Sequence, residues 1–460
     1  MADSEPVGVR RPQQRPNPFR IVRTARRNLL EAWPEQAYRA ETFRFRLLRQ
    51  RYFVCNSPDA VRHVFLDGHD NYDRKSPQMR RALEPLLGDG LFVSDGETWR
   101  QRRDQCAPAF EPDLLPGFAA VMTEAVGALA DQWQGRSPGL PVDMLEEMAQ
   151  LTARIIGRTV FGDDTSDGEA TQVVRGFAAY QRDIDQMNPA DVFGLPALAW
   201  LSDPWRRRRA RRAAERVQEV IDGIINRHRR QPPAQRFSLL SQFLDGAMAG
   251  AGCPMGAAAA RNEAIVMFMA GHETTANSLA WCWYLLDHSP RVAACLRHEL
   301  DTVLAGRPPG FDDVPRLPYT RAVFEEALRL YPPVPLLSRQ ARHGDRIRRK
   351  EIHPGTILLV VPWLLHRHRK HWPQPDHFVP ERFLPGQPRP DRYLYVPFSA
   401  GARVCLGLRF GLTEGILCLA TLAQRFEARL QPGHRVAIEC RLTLRPQGGL
   451  PMLLTPRTGP

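Results

Sequence analysis

One cysteine of the chain stands where the sequence favours its thiolate. Cys405 precedes a stretch that reads as a helix through Leu408, Phe410, Leu412, Ile416 and Leu419, so backbone N–H groups and the helix dipole lie beside its sulfur and make it a candidate metal ligand. Gly401, four residues earlier, permits the tight backbone conformation that aims the sulfur outward, and Gly407, two residues later, lets a flat cofactor come close to the backbone. Arg403 falls where a carboxylate of such a cofactor would be held.

With Phe398 at its start, the pattern Phe-x-x-Gly-x-Arg-x-Cys-x-Gly fixes five positions in ten residues and resembles the haem-binding loop of the cytochrome P450 family. In that family the cysteine thiolate is the axial iron ligand and pushes electron density toward O–O cleavage. The resemblance implies heme b (iron protoporphyrin IX), with Cys405 as the metal ligand and Phe398, Gly401, Arg403 and Gly407 around the cofactor. It also implies a mainly α fold with a smaller β-rich part, a helical bundle around haem.

A second stretch, Ala270-Gly271-His272-Glu273-Thr274-Thr275, interrupts a largely apolar run over 261–286 that reads as one long helix. A threonine hydroxyl can bond the carbonyl four residues back, here Ala270, and Gly271 lowers the resistance to opening the helix, which predicts a local groove. The resemblance implies that this groove admits dioxygen and that Glu273 and Thr274 handle protons, work that calls for a carboxylate and a hydroxyl near water. His272 is read as structural.

Trp99 and Arg103, four residues apart, share a helix face. By resemblance they reach a haem propionate, the guanidinium suiting a carboxylate, and Arg339 supplies another such contact. Phe92, after the turn Gly88-Asp89-Gly90-Leu91, and Ala270, Val334 and Leu337 are the implied substrate-pocket residues. Glu326 and Arg329, at i,i+3, are by spacing alone a surface pair; the resemblance implies instead a buried triad with Arg382 of Pro380-Glu381-Arg382-Phe383 that serves folding and haem retention.

The elements that position these groups follow from local pattern. Phe43 to Leu47 alternates with period two and Tyr52-Phe53-Val54 follows a polar break, predicting an antiparallel strand pair. Ser57-Pro58 and Ser289-Pro290 each open a helix, and Tyr331-Pro332-Pro333 ends one. Residues 352–360 read as a turn feeding a β-strand, and residues 445–452 form a β-turn that in this family reaches the substrate cavity. Residues 1–18, rich in proline, arginine and glutamine, read as a flexible tail, and the resemblance implies a single haem-thiolate catalytic domain over 19–460.

With 43% hydrophobic and 25% charged residues the chain has material for a core. Eight scattered cysteines without a C-x-x-C pair speak against structural zinc or a redox dithiol and suit a cytoplasmic location. The net charge of +13 favours an acidic partner or an anionic surface, while the lack of a nucleic-acid motif with interleaved aromatics excludes nucleic acid. No signal peptide or transmembrane anchor is expected. One segment, 193–212, joins an apolar stretch to the run Trp205-Arg206-Arg207-Arg208-Arg209 and suits weak peripheral contact with anionic membrane, or a lid over the cavity.

The resemblance implies a monooxygenase that places one oxygen atom of O2 into a lipophilic substrate, fatty acid or terpenoid-like. No Gly-x-Gly-x-x-Gly follows a strand, so electrons are expected from a separate ferredoxin or flavodoxin with its reductase. The nearer rival is a peroxide-using or substrate-rearranging relative, which often lacks the acid–alcohol pair present here. A rival of another class is a non-catalytic haem sensor or electron carrier, against which stand the dioxygen groove and the apolar distal segments.

Overall fold

The computed structural model describes residues 6–13, 24–25, 28–137, 139–162, 166–184, 195, 204–230, 238–245, 255–440 and 442–457. Its α-helices of five or more residues, in chain order, are α1 (Pro58–Arg62), α2 (Pro77–Leu87), α3 (Gly96–Cys106), α4 (Leu115–Gln134), α5 (Met144–Phe161), α6 (Asp167–Asp183) and α7 (Pro204–His228). They continue with α8 (Leu239–Asp245), α9 (Ala257–His288), α10 (Pro290–Leu304), α11 (Pro318–Leu330) and α12 (Leu408–Arg425).

The long apolar helix expected over 261–286 is α9, buried along nearly its whole length, as a helix that is apolar all round must be. It lies against α5 so closely that a Cβ on Gly271 would stand 2.6 Å from Ile156 Cδ1. One turn away on the same face of α5, the Thr152 hydroxyl donates to His272 O at 2.9 Å. On another side α12 packs on α11, where a Cβ on Gly415 would fall 2.2 Å from Phe324 Cζ, and on α4 through the edge-to-face pair Phe118–Phe410. α4 is long and apolar enough to span a membrane by length and composition; here Phe118, Met122, Val126 and Trp133 turn into the core.

The β part is small, as expected. β1 (Thr42–Leu47) and β2 (Gln50–Cys55) pair antiparallel, Phe45 opposite Tyr52. β2 runs parallel to a strand over Ile357–Val360, with Phe53 opposite Leu358, and that strand is antiparallel to Leu337–Gln340, which carries Arg339. A hairpin of Ile438–Cys440 and Leu444–Pro446 approaches the middle of α9.

Several local expectations change in detail. Ser57 takes extended backbone ahead of α1, yet its hydroxyl accepts from Arg348 at 3.2 Å instead of capping the helix. Residues 6–13, read from sequence as part of a loose tail, are tied to the body. Val7 N–H donates to Tyr284 Oη at 2.9 Å, Tyr331 Oη donates to Val7 O at 2.8 Å, and Arg11 pairs with Asp376 at 2.7 Å. Their side-chain partners sit hundreds of residues away, so no local pattern announces them. The apolar half of the segment 193–212 lies outside the described residues, Leu195 excepted, and Leu195 packs on the core.

Candidate active site

The loop before α12 is held by short backbone bonds: Cys405 N–H donates to Phe398 O at 2.9 Å and Val404 N–H to Gly401 O at 3.1 Å. Gly401 has φ of +69°, and a Cβ there would lie 1.9 Å from Phe65 O, so glycine is demanded by the neighbouring turn as well as by the conformation. At Gly407 a Cβ would stand 3.9 Å from Cys405 Sγ and 3.9 Å from the Phe110 ring. Desolvation pushes the Cys405 thiol up, while the Gly407 N–H and Arg103 pull it down and favour thiolate. A residue both surrounded by protein and open to a surface lines an internal cleft.

Four cations gather at this cleft. Arg103 donates to Val404 O at 2.9 Å, immediately before the cysteine, and Arg403 donates to Ser94 O at 2.9 Å while its guanidinium lies 4.3 Å from the Trp99 ring centre. Arg339 is buried and, among the described residues, donates only to Ser338 O, and the buried Lys75 ammonium rests 4.6 Å from the centre of the Phe92 ring. None of the four makes an ion pair within the described residues, and Arg403 Nε is buried without a partner.

Burial and mutual repulsion show in their titration. Arg403 is pushed down to about 9 by desolvation and then by Arg339, Arg339 to about 10 by desolvation, and Lys75 well below the usual lysine range by desolvation, Arg339 and Arg403. The nearby carboxylates are already engaged: Asp73 accepts from Arg342 at 2.7 Å, and Asp95 from Arg80 at 3.1 Å. A cleft with a cysteine sulfur and a surplus of desolvated cations suits a dianionic, iron-bearing group.

The turn of α9 that carries Thr274 departs in part from expectation. Thr274 Oγ1 donates to Ala270 O at 2.6 Å, as its spacing predicts, but α9 runs unbroken through this turn because the hydroxyl bond adds to the helix without opening it. Glu273 points elsewhere. Its carboxylate accepts from Gln181 of α6 at 2.6 Å and from Thr443 at 2.7 Å, with Arg445 at 4.0 Å, and burial pushes its carboxyl up. His272 is buried and pushed down to about 4 by burial, consistent with a structural residue. Val334 and Leu337 are half-buried, Leu337 being the first residue of the strand that bears Arg339. Away from the cleft, Glu326 and Arg329 are fully buried and doubly bonded, with Arg382 at 3.4 Å from Glu326.

A family model described as Cytochrome P450 matches residues 25–451. The chain belongs to that family. It is 34% identical over 417 residues to cyclooctatin synthase of Streptomyces melanosporofaciens, covering 89% of this chain and 87% of that one. To the same organism's cyclooctat-9-en-7-ol 5-monooxygenase it is 32% identical over 412 residues, covering 88% and 86%. The crystal structure of the cytochrome P450DA heme domain shares the fold, with a TM-score of 0.78 over 91% of this chain and 90% of that one at 24% identity.

As a P450 the protein is a haem-thiolate enzyme, and the cleft fits protoporphyrin IX: one sulfur for the iron, and cations in excess for two propionates. The sequence reading missed Lys75, which stands before the helix start Ser76-Pro77 and carries no motif of its own. It missed Glu263 and Glu414 as well, acids inside apolar stretches of α9 and α12 that are fully buried. An acid at a core-facing helical position is the signal that would have flagged both.

Proposed function

We propose that this P450 inserts one atom of O2 into a C–H or C=C bond of a terpenoid-like substrate, the other atom leaving as water after two electrons and two protons are supplied. The observation that carries the reading is Cys405 at a cleft rimmed by Lys75, Arg103, Arg339 and Arg403, cations without ion-pair partners among the described residues. When bound, haem supplies the reductive activation of dioxygen. Cys405 holds the iron, and the four cations with Trp99 orient and neutralise the propionates. Phe398, Gly401 and Gly407 shape the loop beneath. Thr274 Oγ1, free to exchange its bond to Ala270 O for one to water, holds a proton near the reacting centre. Glu273, clasped by Gln181 and Thr443, acts in that relay only after giving up one of them.

Phe92, Ala270, Val334 and Leu337 line the substrate pocket. A relative named for an unsaturated alcohol, cyclooctat-9-en-7-ol, favours terpenoid-like substrates over fatty acids. Electrons come from a separate ferredoxin or flavodoxin with its reductase, an acidic donor matching the net charge of +13. The enzyme works in the cytoplasm as one catalytic domain over 19–460, with weak, reversible contact to anionic membrane through the arginines of α7.

The test is the absorbance of the reduced, carbon monoxide-bound protein. A thiolate-type Soret band that disappears in Cys405→Ala is expected. A histidine-type band in intact protein, or a thiolate band surviving the substitution, would overturn the assignment.

A further inference from the structure

The segment 88–95 crosses from α2 to α3 directly over α9. Gly88 has φ of +56°, and a Cβ there would lie 2.3 Å from Asn262 Nδ2; one on Gly90 would lie 2.9 Å from Val266 Cγ2. The two glycines therefore let backbone rest on the face of α9 made by Asn262 and Val266. Side chains lock this contact. Asn262 donates to Asp89 Oδ1 at 3.0 Å and Arg102 of α3 to Asp89 Oδ2 at 2.9 Å. Further along, Arg403 of the cysteine loop donates to Ser94 O at 2.9 Å.

Between these anchors one backbone group depends on a buried acid. Leu91 N–H donates to both oxygens of Glu263, at 3.0 and 3.1 Å. The Glu263 side chain has no exposure, and its other neighbour, Arg102 Nε, is an ion-pair contact at 3.6 Å that makes no hydrogen bond. Burial first, and Asp89 besides, push its carboxyl up to about 7 against Leu91 N–H and Arg102, so near neutral pH much of it is uncharged and glutamine is a fair mimic. A buried acid so poorly compensated is a costly way to hold a loop, because leucine would fill the same space without desolvation. What leucine could not do is take the Leu91 amide, and the next residue is Phe92.

We propose that Glu263 is a specificity-determining positioning residue: by accepting the Leu91 N–H it fixes where the Phe92 ring stands in the wall of the substrate site. This rests on the reading above in which Phe92 lines that site. The length of the glutamate side chain sets the distance between the loop and α9, so shortening or deleting it moves the ring, while an isosteric amide keeps it in place. The Lys75 ammonium on the Phe92 ring extends the same placement to the propionate side of the cleft.

The test compares Glu263→Gln, Glu263→Asp and Glu263→Leu with the parent in holoprotein. Imidazole and 1-dodecylimidazole serve as probes, since the ring ligates ferric haem whatever the natural substrate and the tail reports the cavity wall. The ratio of their dissociation constants, read from the Soret shift, is expected to change about fivefold or more in the Asp and Leu variants and to stay at the parental value in Gln, as a fit-dependent discrimination should. Hydrogen–deuterium exchange over 88–95 is expected to accelerate in Asp and Leu alone. An unchanged ratio and unchanged exchange in Asp and Leu, whatever their melting temperatures, would overturn the proposal and leave Glu263 as core. If Leu fails to fold, Asp decides. Absence of any azole-induced shift in the parent would instead strike at the haem-thiolate reading, and the exchange data would still report on the Glu263–Leu91 bond.

Discussion

Glu326 and Arg329, one helical turn apart on α11 and both without solvent exposure, meet through two hydrogen bonds of 2.7 Å, Nε to Oε2 and Nη2 to Oε1. The pair also staples backbone. Arg329 donates to the carbonyls of His366, Pro375 and His377, and Glu326 accepts the Val379 N–H at 2.9 Å. The pair thus fixes the chain between the central sheet and the approach to the cysteine loop.

Removing one partner leaves the other charge buried and unpaired, so Arg329→Met is expected to cost about 3–5 kcal/mol, with further loss from the carbonyls it orphans. The check is thermal unfolding together with the haem-to-protein absorbance ratio of purified protein. Glu326→Gln, which retains an acceptor for Val379, is expected to fall less. A variant lacking Arg329 that melts like the parent with full haem would remove the triad from any part in folding.

Much of this architecture is legible because its signals are local. The strand pair at Phe43 and Tyr52, the Ser289-Pro290 helix start and the stop at Tyr331 each rest on a few adjacent residues, and each holds. The proposed roles of Cys405 and Arg403 likewise rest on one local ten-residue pattern. What the sequence hides is made by distant partners. Lys75 has meaning only because Arg339 and Arg403 are brought beside it, and Glu273 turns away from Thr274 because Gln181 and Thr443, 92 and 170 residues away, claim its oxygens. Val7, in a stretch whose composition reads as disordered, is held by two tyrosine hydroxyls that no tail motif predicts.

Thr274 is expected to separate cofactor binding from proton handling. Its hydroxyl bonds Ala270 O and takes no part in the cation cluster, so Thr274→Ala should leave the ferrous carbon monoxide spectrum unchanged. Proton delivery would suffer, and hydrogen peroxide released per NADPH should rise about fivefold with a productive redox system. Equal coupling in variant and parent would take Thr274 out of the mechanism.

The start of α7 presents Trp205, 69% exposed, followed by the exposed Arg207, Arg208, Arg211 and Arg212. Basic residues near an anionic bilayer contribute about 1 kcal/mol each, and the attraction shortens with salt. Sedimentation with phosphatidylserine-containing vesicles should therefore carry down more protein at low than at high salt, and less of a variant with these arginines changed to glutamine. Equal partitioning under all conditions would leave the arginines as a solvated helix start.

Glu414, fully buried on α12, has neither carboxylate oxygen hydrogen-bonded within the described residues. Burial pushes its carboxyl from 4.5 up to about 8, with Thr275 pulling the other way. Across that window the folded chain keeps a proton that the unfolded chain releases, so stability falls as pH rises from about 4.5 to about 8 and the full penalty remains above it. Glu414→Gln keeps the shape and removes the titration. Its melting temperature should approach the parent's below pH 4.5, where the carboxyl is protonated in folded and unfolded chains alike, and exceed it increasingly as pH rises to about 8. Parallel melting curves for the two holoproteins across that range would mean that the carboxyl does not hold its proton in the fold.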